Sequence, residues 1–158
     1  MLPQLALHDD PLSCTYELNP RIQSTEIERM VRQRVGQQTF RQAMLEYWGG
    51  ACAVSGIALP EVLRASHAKP WAECDSDAER LDVFNGFLLS ANLDALFDRH
   101  LISFTDGGDL LVSKIVAEQE KERLGLQEPL RLRWLADEHF PYLKFQRQKF
   151  REHASTLP

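Results

Sequence analysis

Residues 65–98 read ASHAKPWAECDSDAERLDVFNGFLLSANLDALFD, and this stretch decides the fold. Two short apolar runs, residues 61–68 and 84–90, flank an acidic loop and have the length and composition of buried strands. Ser90 is a typical N-cap residue, so we expect a helix to begin there. Its apolar positions recur from Leu93 at helical spacing. The stretch therefore predicts a strand, a loop, a second strand and a helix.

Polar residues of this unit have the side chains that phosphodiester hydrolysis needs. A neutral imidazole such as His67 can activate water, and carboxylates such as those of Asp94 and Asp98 can bind a divalent cation. The two aspartates are four positions apart and share one helix face. Asn85 can bind a metal or fix a loop. Each residue alone also has an ordinary structural interpretation, as a strand-end histidine, a turn asparagine or a solvated helix end.

The segment before this unit is predicted to be extended at first and then helical. Residues 1–22 contain three prolines and no sustained period, which indicates an extended lead-in. Thr25 fits a capping box and begins a helix that we expect to end at Gly36. A second helix is predicted over residues 37–48. Residues 51–55 then form a short β-prone run.

The segments within and after the unit are less regular. Residues 71–83 lack a secondary-structure period, and loops of that length are often functional or mobile. The sequence DGG at 106–108 lies between two apolar runs and predicts a β-hairpin. A final helix is expected over residues 142–153. The fold class is therefore α+β, with residues 23–158 predicted to form a single domain.

Composition excludes several classes of protein. No run approaches the roughly 20 apolar residues of a membrane span, and the N-terminus lacks the basic start of an export signal, so we expect a cytoplasmic protein. The three cysteines form no CxxC pair, which argues against structural zinc. The net charge of −5 weakens a nucleic-acid interpretation without excluding it, because arginines cluster before the central unit and basic residues cluster near the end.

Four motifs together carry a resemblance to a known family. They are CAVSG at 52–56, SHAKPW at 66–71, NGFLL at 85–89 and DALFD at 94–98. Their order resembles the ββα-metal fold of HNH endonucleases, and in particular one bacterial subgroup. The resemblance extends over about residues 25–114, with the predicted core at about 51–114.

The resemblance implies roles for individual residues. His67 would be the general base, Asn85 would position the loop that carries it, and Asp94 would be the main metal ligand, with Asp98 as a second ligand or an outer partner. Three positions depart from the family. Asp94 stands at the third signature position in place of histidine, which argues for a cation that prefers oxygen ligands over zinc. Ser66 stands where many members have a metal ligand. His100 stands where the subgroup usually has glycine, and it is either a neutral surface residue or an extra ligand.

The resemblance also implies ligands and partners. Oxygen ligands such as Asp94 favour Mg²⁺ or Mn²⁺ as the cofactor, and the substrate would be DNA. Lys69, Arg34 and Arg41 are candidate contacts to DNA phosphates, although the two arginines could equally connect a helix to the core. The acidic loop and the net charge of −5 suggest a modest intrinsic affinity for DNA, so we expect a homodimer or a partner domain to supply much of the DNA binding.

We therefore predict a metal-dependent DNA endonuclease, with a role in restriction or phage defence resting on the resemblance alone. The first alternative is a non-catalytic nucleic-acid-binding or regulatory module that keeps the fold, as Ser66 would allow. A second is a purely structural interaction domain. The arrangement of His67, Asn85 and Asp94 distinguishes the alternatives.

Overall fold

The structure, a computed structural model, describes residues 24–156 of the chain. Five helices and four strands occur in this part, joined by short 3₁₀ turns. The helices are α1 (Ser24–Tyr47), α2 (Asp77–Leu81), α3 (Ala91–Asp98), α4 (Glu118–Arg123) and α5 (Phe140–Ser155). The strands are β1 (Leu63–His67), β2 (Gly86–Ser90), β3 (Ile102–Phe104) and β4 (Leu110–Val112). The predicted α+β class is confirmed.

The chain divides into two compact units, residues 1–34 and 35–158. The described residues of the first unit belong to α1, and from Glu28 to Arg34 their side chains are exposed. The extended lead-in predicted for residues 1–22 lies outside the described residues, as does the side chain of Thr25. None of the helices in residues 24–156 has the length and apolarity that a membrane crossing requires.

The central unit of the second compact unit has the predicted order of strand, loop, strand and helix. Strands β1 and β2 are antiparallel, with Ser66 opposite Phe87 and His67 opposite Gly86. Every residue of β2 is buried, as expected of an apolar run covered on both faces. Helix α3 packs on both strands. The predicted hairpin is also present, because β3 and β4 pair antiparallel from Ile102 opposite Val112.

One hydrophobic core joins these elements. It contains buried side chains from α1 and the turn that follows it, and from β2, α3, β3 and α5: Phe40, Met44, Trp48, Phe87, Leu88, Leu89, Leu93, Leu96, Phe97, Ile102, Phe104 and Leu143. Gln146 of α5 is buried too, and its amide nitrogen donates to the carbonyls of Phe97 and Ile102 at 3.3 and 3.0 Å. Its oxygen accepts the Ser103 hydroxyl at 2.6 Å. These bonds satisfy polar groups where α5 crosses β3.

Three local predictions are wrong. The two N-terminal helices form the single helix α1, which continues through Gly36. A glycine in a helix interior costs only about 1 kcal/mol, and a Cβ at this position would lie 2.3 Å from the ring of Trp71. Residues 51–55 form turns instead of a β run, and the loop 71–83 contains a 3₁₀ turn and α2.

Candidate active site

His67, at the end of β1, lies in a slot lined by aromatic rings. Its imidazole stacks on Phe40 of α1, with ring centroids 3.8 Å apart and planes 17° apart. The ring of Trp71 meets it edge-on at 6.0 Å. Phe40 occupies a buried position of the helix stripe, so the same apolar pattern that builds α1 also provides the floor of the slot. Packing on two sides limits the imidazole to one orientation.

A main-chain bond fixes the protonation pattern of this imidazole. Nε2 of His67 lies 2.8 Å from the carbonyl oxygen of Arg80. Because a carbonyl only accepts, Nε2 carries the hydrogen and Nδ1 of the neutral ring keeps its lone pair. Burial lowers the pKa of His67, while the bond to Arg80 partly opposes that shift. The neutral ring is therefore the favoured form near physiological pH, as a base that takes a proton from water requires.

Asn85 ties the two ends of the acidic loop together from a fully buried position. Its Oδ1 accepts the main-chain N–H of Lys69 at 2.8 Å, and its Nδ2 donates to the Lys69 carbonyl at 3.2 Å. The same nitrogen donates to the carbonyl of Glu79 at 3.0 Å. Asn85 thus contacts the residue two positions after His67 and the residue just before Arg80, which fixes the geometry of the loop around the imidazole.

Gly86 is required by the close approach of the two strands. Its φ of +147° is a conformation that L side chains rarely adopt. A Cβ there would lie 1.9 Å from the carbonyl oxygen of Ser66, a main-chain atom that cannot move aside. The Asn85-Gly86 pair therefore has a structural reason beyond turn formation: the amide holds the loop, and the glycine lets β2 pass next to β1.

The two aspartates of α3 provide the acidic part of the site. Asp94 is partly buried and Asp98 is exposed. Desolvation raises the pKa of Asp94, the hydroxyl of Ser66 lowers it, and the negative charge of Asp98 raises it further. The carboxyl thus faces β1, where Ser66 lies next to the histidine in the chain. The imidazole thus belongs to β1 and the carboxyl group to the helix packed on it, where the carboxyl interacts with the residue that precedes the histidine.

These carboxyl groups fit a cation that prefers oxygen ligands. A desolvated carboxylate near a second one is destabilised by repulsion, and a bound cation would remove that cost. In residues 24–156, no cluster of three or more His, Cys, Asp or Glu side chains is arranged for metal binding. Mg²⁺ commonly binds through one or two carboxylates and completes its shell with water and phosphate oxygens. Asp94 and Asp98 would be its protein ligands.

The candidate DNA contacts lie in different environments. Lys69 Nζ lies 2.8 Å from both Asp75 and Glu79, so its charge is compensated within the loop. The guanidinium of Arg41 donates to the carbonyls of Leu63 and Pro60 at 2.7 and 3.0 Å, which connects α1 to the start of β1. Arg34 is exposed on α1 in the first compact unit.

His100 ends α3 in a left-handed conformation with a φ of 57°. Its N–H donates to the carbonyl of Phe97 at 3.1 Å, and that of Leu101 donates to Leu96 at 2.8 Å. These two bonds define a Schellman motif, in which glycine is favoured at the left-handed position. Nδ1 of His100 is buried without a hydrogen-bond partner. The helix end thus accounts for a glycine preference here, independently of any ligand role.

Arg80 and Phe40 contact the imidazole directly, and neither is among the site residues predicted from the sequence. The contribution of Arg80 is a main-chain oxygen, which no side-chain pattern reports. One signal was present, since Arg80 is the only basic residue in the acidic run from Glu73 to Asp82. That isolated charge is consistent with a structural anchor.

Comparison with known proteins agrees with this geometry. A model of the HNH endonuclease family matches residues 52–105, which include β1, the loop, β2, α3 and β3. No curated protein matches the chain. The matched segment contains His67, Asn85 and both aspartates, and the family that it resembles consists of nucleases that act on nucleic acid. Residues 52–105 of this chain are similar to the HNH endonuclease family.

Proposed function

We propose that this protein is a metal-dependent endonuclease that hydrolyses phosphodiester bonds of DNA. The observation that supports this most is the state of His67: its Nε2–H is bound to a carbonyl, and the other nitrogen keeps a lone pair. One ring nitrogen is thus able to take a proton from water, and α3, which carries the two aspartates, packs on the strand of His67.

In the proposed reaction, Nδ1 of His67 takes a proton from a water molecule as its oxygen attacks phosphorus. The phosphorus–oxygen bond to the leaving group breaks, and the leaving oxygen takes up a proton from solvent water. Asp94, assisted by Asp98, would hold Mg²⁺ or Mn²⁺, which supplies neutralisation of the charge that develops on the phosphate. Asn85 keeps the loop in the shape that aims the imidazole.

The phosphate contacts are a second part of this proposal. We keep Arg34, Arg41 and Lys69 as candidates, and their internal bonds suggest different contributions. Lys69 and Arg41 would have to share or exchange existing partners to reach a phosphate. An exposed arginine such as Arg34 can contact DNA without that cost. In a plot of log affinity against log salt concentration, the magnitude of the slope should fall by about one for each phosphate contact that is lost. Arg34→Gln therefore tests this ranking directly.

A non-catalytic nucleic-acid-binding module is the second candidate, and one observation favours it. Ser66, a neutral side chain, stands beside Asp94 where many family members have a ligand. In that case the protein would bind DNA and leave it intact. A role in restriction or phage defence, and a homodimer or partner domain that assists binding, are further proposals that rest on the resemblance.

The decisive experiment is cleavage of supercoiled plasmid with Mg²⁺, Mn²⁺ or EDTA. Wild type is compared with His67→Ala, with Asp94→Ala and with the exposed control Glu128→Ala. Loss of a general base typically costs about 100-fold or more in rate, so cation-dependent nicking should disappear in both site variants and persist in the control. Nicking that survives His67→Ala would refute the assigned base. Plasmid binding without cleavage under any cation would support the non-catalytic module.

A further inference from the structure

Arg80 contacts its surroundings through both its main chain and its side chain. Its carbonyl oxygen accepts the Nε2–H of His67 at 2.8 Å. Its guanidinium donates to the carbonyls of Trp71 and Cys74 at 3.1 and 2.9 Å, and to the carboxylate of Asp77 at 2.9 Å. The side chain is 25% exposed. One residue thus closes the loop on itself and presents the oxygen that orients the imidazole.

The secondary structure alone would not hold this oxygen in place. Helix α2 has five residues, and a helix that short is unstable without external contacts. Arg80 lies in its last turn, where carbonyl oxygens have no partner within the helix. The free carbonyl is therefore available to His67, but its position depends on what anchors the last turn. The guanidinium of Arg80 anchors this turn, because it donates hydrogen bonds to the carbonyls of Trp71 and Cys74.

The guanidinium also supports the aromatic wall of the slot. It lies over the ring of Trp71 with its central carbon 5.7 Å from the ring centroid. That ring is the one that meets His67 edge-on. The bond from Arg80 to the Trp71 carbonyl fixes the main chain of the same residue. A change at Arg80 would therefore affect both the hydrogen bond and the packing that orient the imidazole.

We propose that Arg80 is a positioning residue for His67: its side chain anchors the loop so that its own carbonyl selects the Nε2–H form of the imidazole. This inference rests on the proposed role of His67 as the base. It assigns Arg80 no contact with substrate. Asn85 anchors the neighbouring carbonyl of Glu79 from the buried side, so the loop is held at two consecutive residues by two different side chains.

The test measures the tautomer of His67 directly by ¹⁵N NMR of the imidazole, in the full chain, without DNA or metal. The signal is assigned by its loss in His67→Gln. Wild type should contain the Nε2–H form, and so should Asp77→Asn, which removes only the negative charge of the exposed partner of the guanidinium. Arg80→Met should give a mixture of the two tautomers. Arg80→Lys keeps the charge but lacks the planar fork whose separate nitrogens bind the two carbonyls, so it should shift in the same direction.

Protein folding is checked in the same samples by the dispersion of the amide spectrum. Should Arg80→Met fail to fold, the comparison of Arg80→Lys with Asp77→Asn decides. A pure Nε2–H signal in folded Arg80 variants would overturn the inference, and so would an Nδ1–H form in wild type.

Cleavage kinetics provide a separate measurement. Arg80→Lys should lower kcat by about tenfold and change KM by less than about twofold, because the orientation of the His67 imidazole is lost while substrate binding is kept. A change confined to KM would contradict a positioning role. If wild type cleaves nothing with any cation, the nuclease proposal fails, while the tautomer of His67 still decides the role of Arg80.

Discussion

Asn85 and Lys69 are joined by a reciprocal pair of hydrogen bonds, in which the amide oxygen of Asn85 accepts the main-chain N–H of Lys69 and the amide nitrogen donates to its carbonyl. A third bond reaches the carbonyl of Glu79. The buried amide therefore satisfies main-chain N–H and carbonyl groups of the loop, as a neighbouring strand does in a sheet.

Removal of this amide should be costly. Asn85→Ala leaves the main-chain N–H of Lys69 without its partner and removes one hydrogen bond from each of the carbonyls of Lys69 and Glu79. An unsatisfied buried group costs about 1–3 kcal/mol. We expect a loss of about 3 kcal/mol in the free energy of unfolding, measured by urea denaturation. The exposed Gln42→Ala, which also removes an amide, should change it by less than about 0.5 kcal/mol. Equal effects of the two substitutions would contradict the anchoring role.

Gly86→Ala should be among the most damaging single-methyl changes in the chain. The added carbon would overlap the Ser66 carbonyl, and the φ of +147° is strained for alanine. We expect a loss of at least about 3 kcal/mol, or failure to fold. Gly56 has a φ of +72° with open space around it, so Gly56→Ala should cost only about 1 kcal/mol. Thermal unfolding of both variants separates the steric effect from the conformational one.

Much of this fold is readable from local sequence, because its central elements depend on local patterns. The apolar runs that predicted β1 and β2, and the spacing that predicted α3, correspond to elements that contact one another. Residues 51–55 gave a wrong prediction because their bonds are to distant segments. The N–H of Ala53 donates to Leu88, and its carbonyl accepts from Arg133, so this single residue is held without forming a strand.

The site was predictable as a set of side chains and not as a set of bonds. The sequence identifies an imidazole, an amide and carboxyl groups in order, and their types limit the chemistry. It does not show that the carbonyl of Arg80 faces His67, because that contact depends on how the loop closes. Gly36 illustrates the same limit. A glycine there lets the ring of Trp71 pack against α1, and helix propensity alone does not predict that contact.

His100→Gly should stabilise the protein. The left-handed φ of 57° costs a non-glycine residue about 1–2 kcal/mol, and the buried Nδ1 lacks a partner. Glycine removes both costs and loses some side-chain packing, so we expect a net gain of about 1 kcal/mol in urea denaturation. His100→Ala serves as the control, since it removes the ring and keeps the backbone cost. A gain equal to that of glycine would show that the ring, and not the backbone, carries the penalty.

Acid should destabilise the protein partly through His139, which is fully buried and stacks on Phe87. Burial lowers its pKa from 6.5, although a bond to Ala136 and the charges of Glu138 and Asp82 oppose the shift. Below that value the unfolded state binds a proton that the folded state resists. Stability is therefore lost as the pH falls from 6.5 through the folded-state pKa.

His139→Phe keeps an aromatic ring and removes this titration. Between about pH 7.5 and about pH 5, its free energy of unfolding should depend less on pH than that of wild type. Urea denaturation at several pH values gives both slopes. The lowered pKa values of His67 and His100 leave a residual slope of the same sign. Identical slopes for the variant and wild type would show that His139 does not contribute.

Asp94→Asn should reveal a conflict between stability and function. In EDTA at neutral pH, wild type holds a desolvated carboxylate near Asp98, and the raised pKa of Asp94 means that this charge opposes folding. The amide removes the charge, so the variant should be slightly more stable, by less than about 1 kcal/mol because the group is partly exposed.

Millimolar Mg²⁺ should then raise the melting temperature of wild type and leave that of the variant unchanged. Asp109→Asn, at an exposed aspartate of the distant hairpin, is the matched control and should respond to Mg²⁺ as wild type does. A rise of equal size in Asp94→Asn would mean that the cation binds elsewhere, and a less stable variant in EDTA would mean that the carboxylate is favourably bound within the fold.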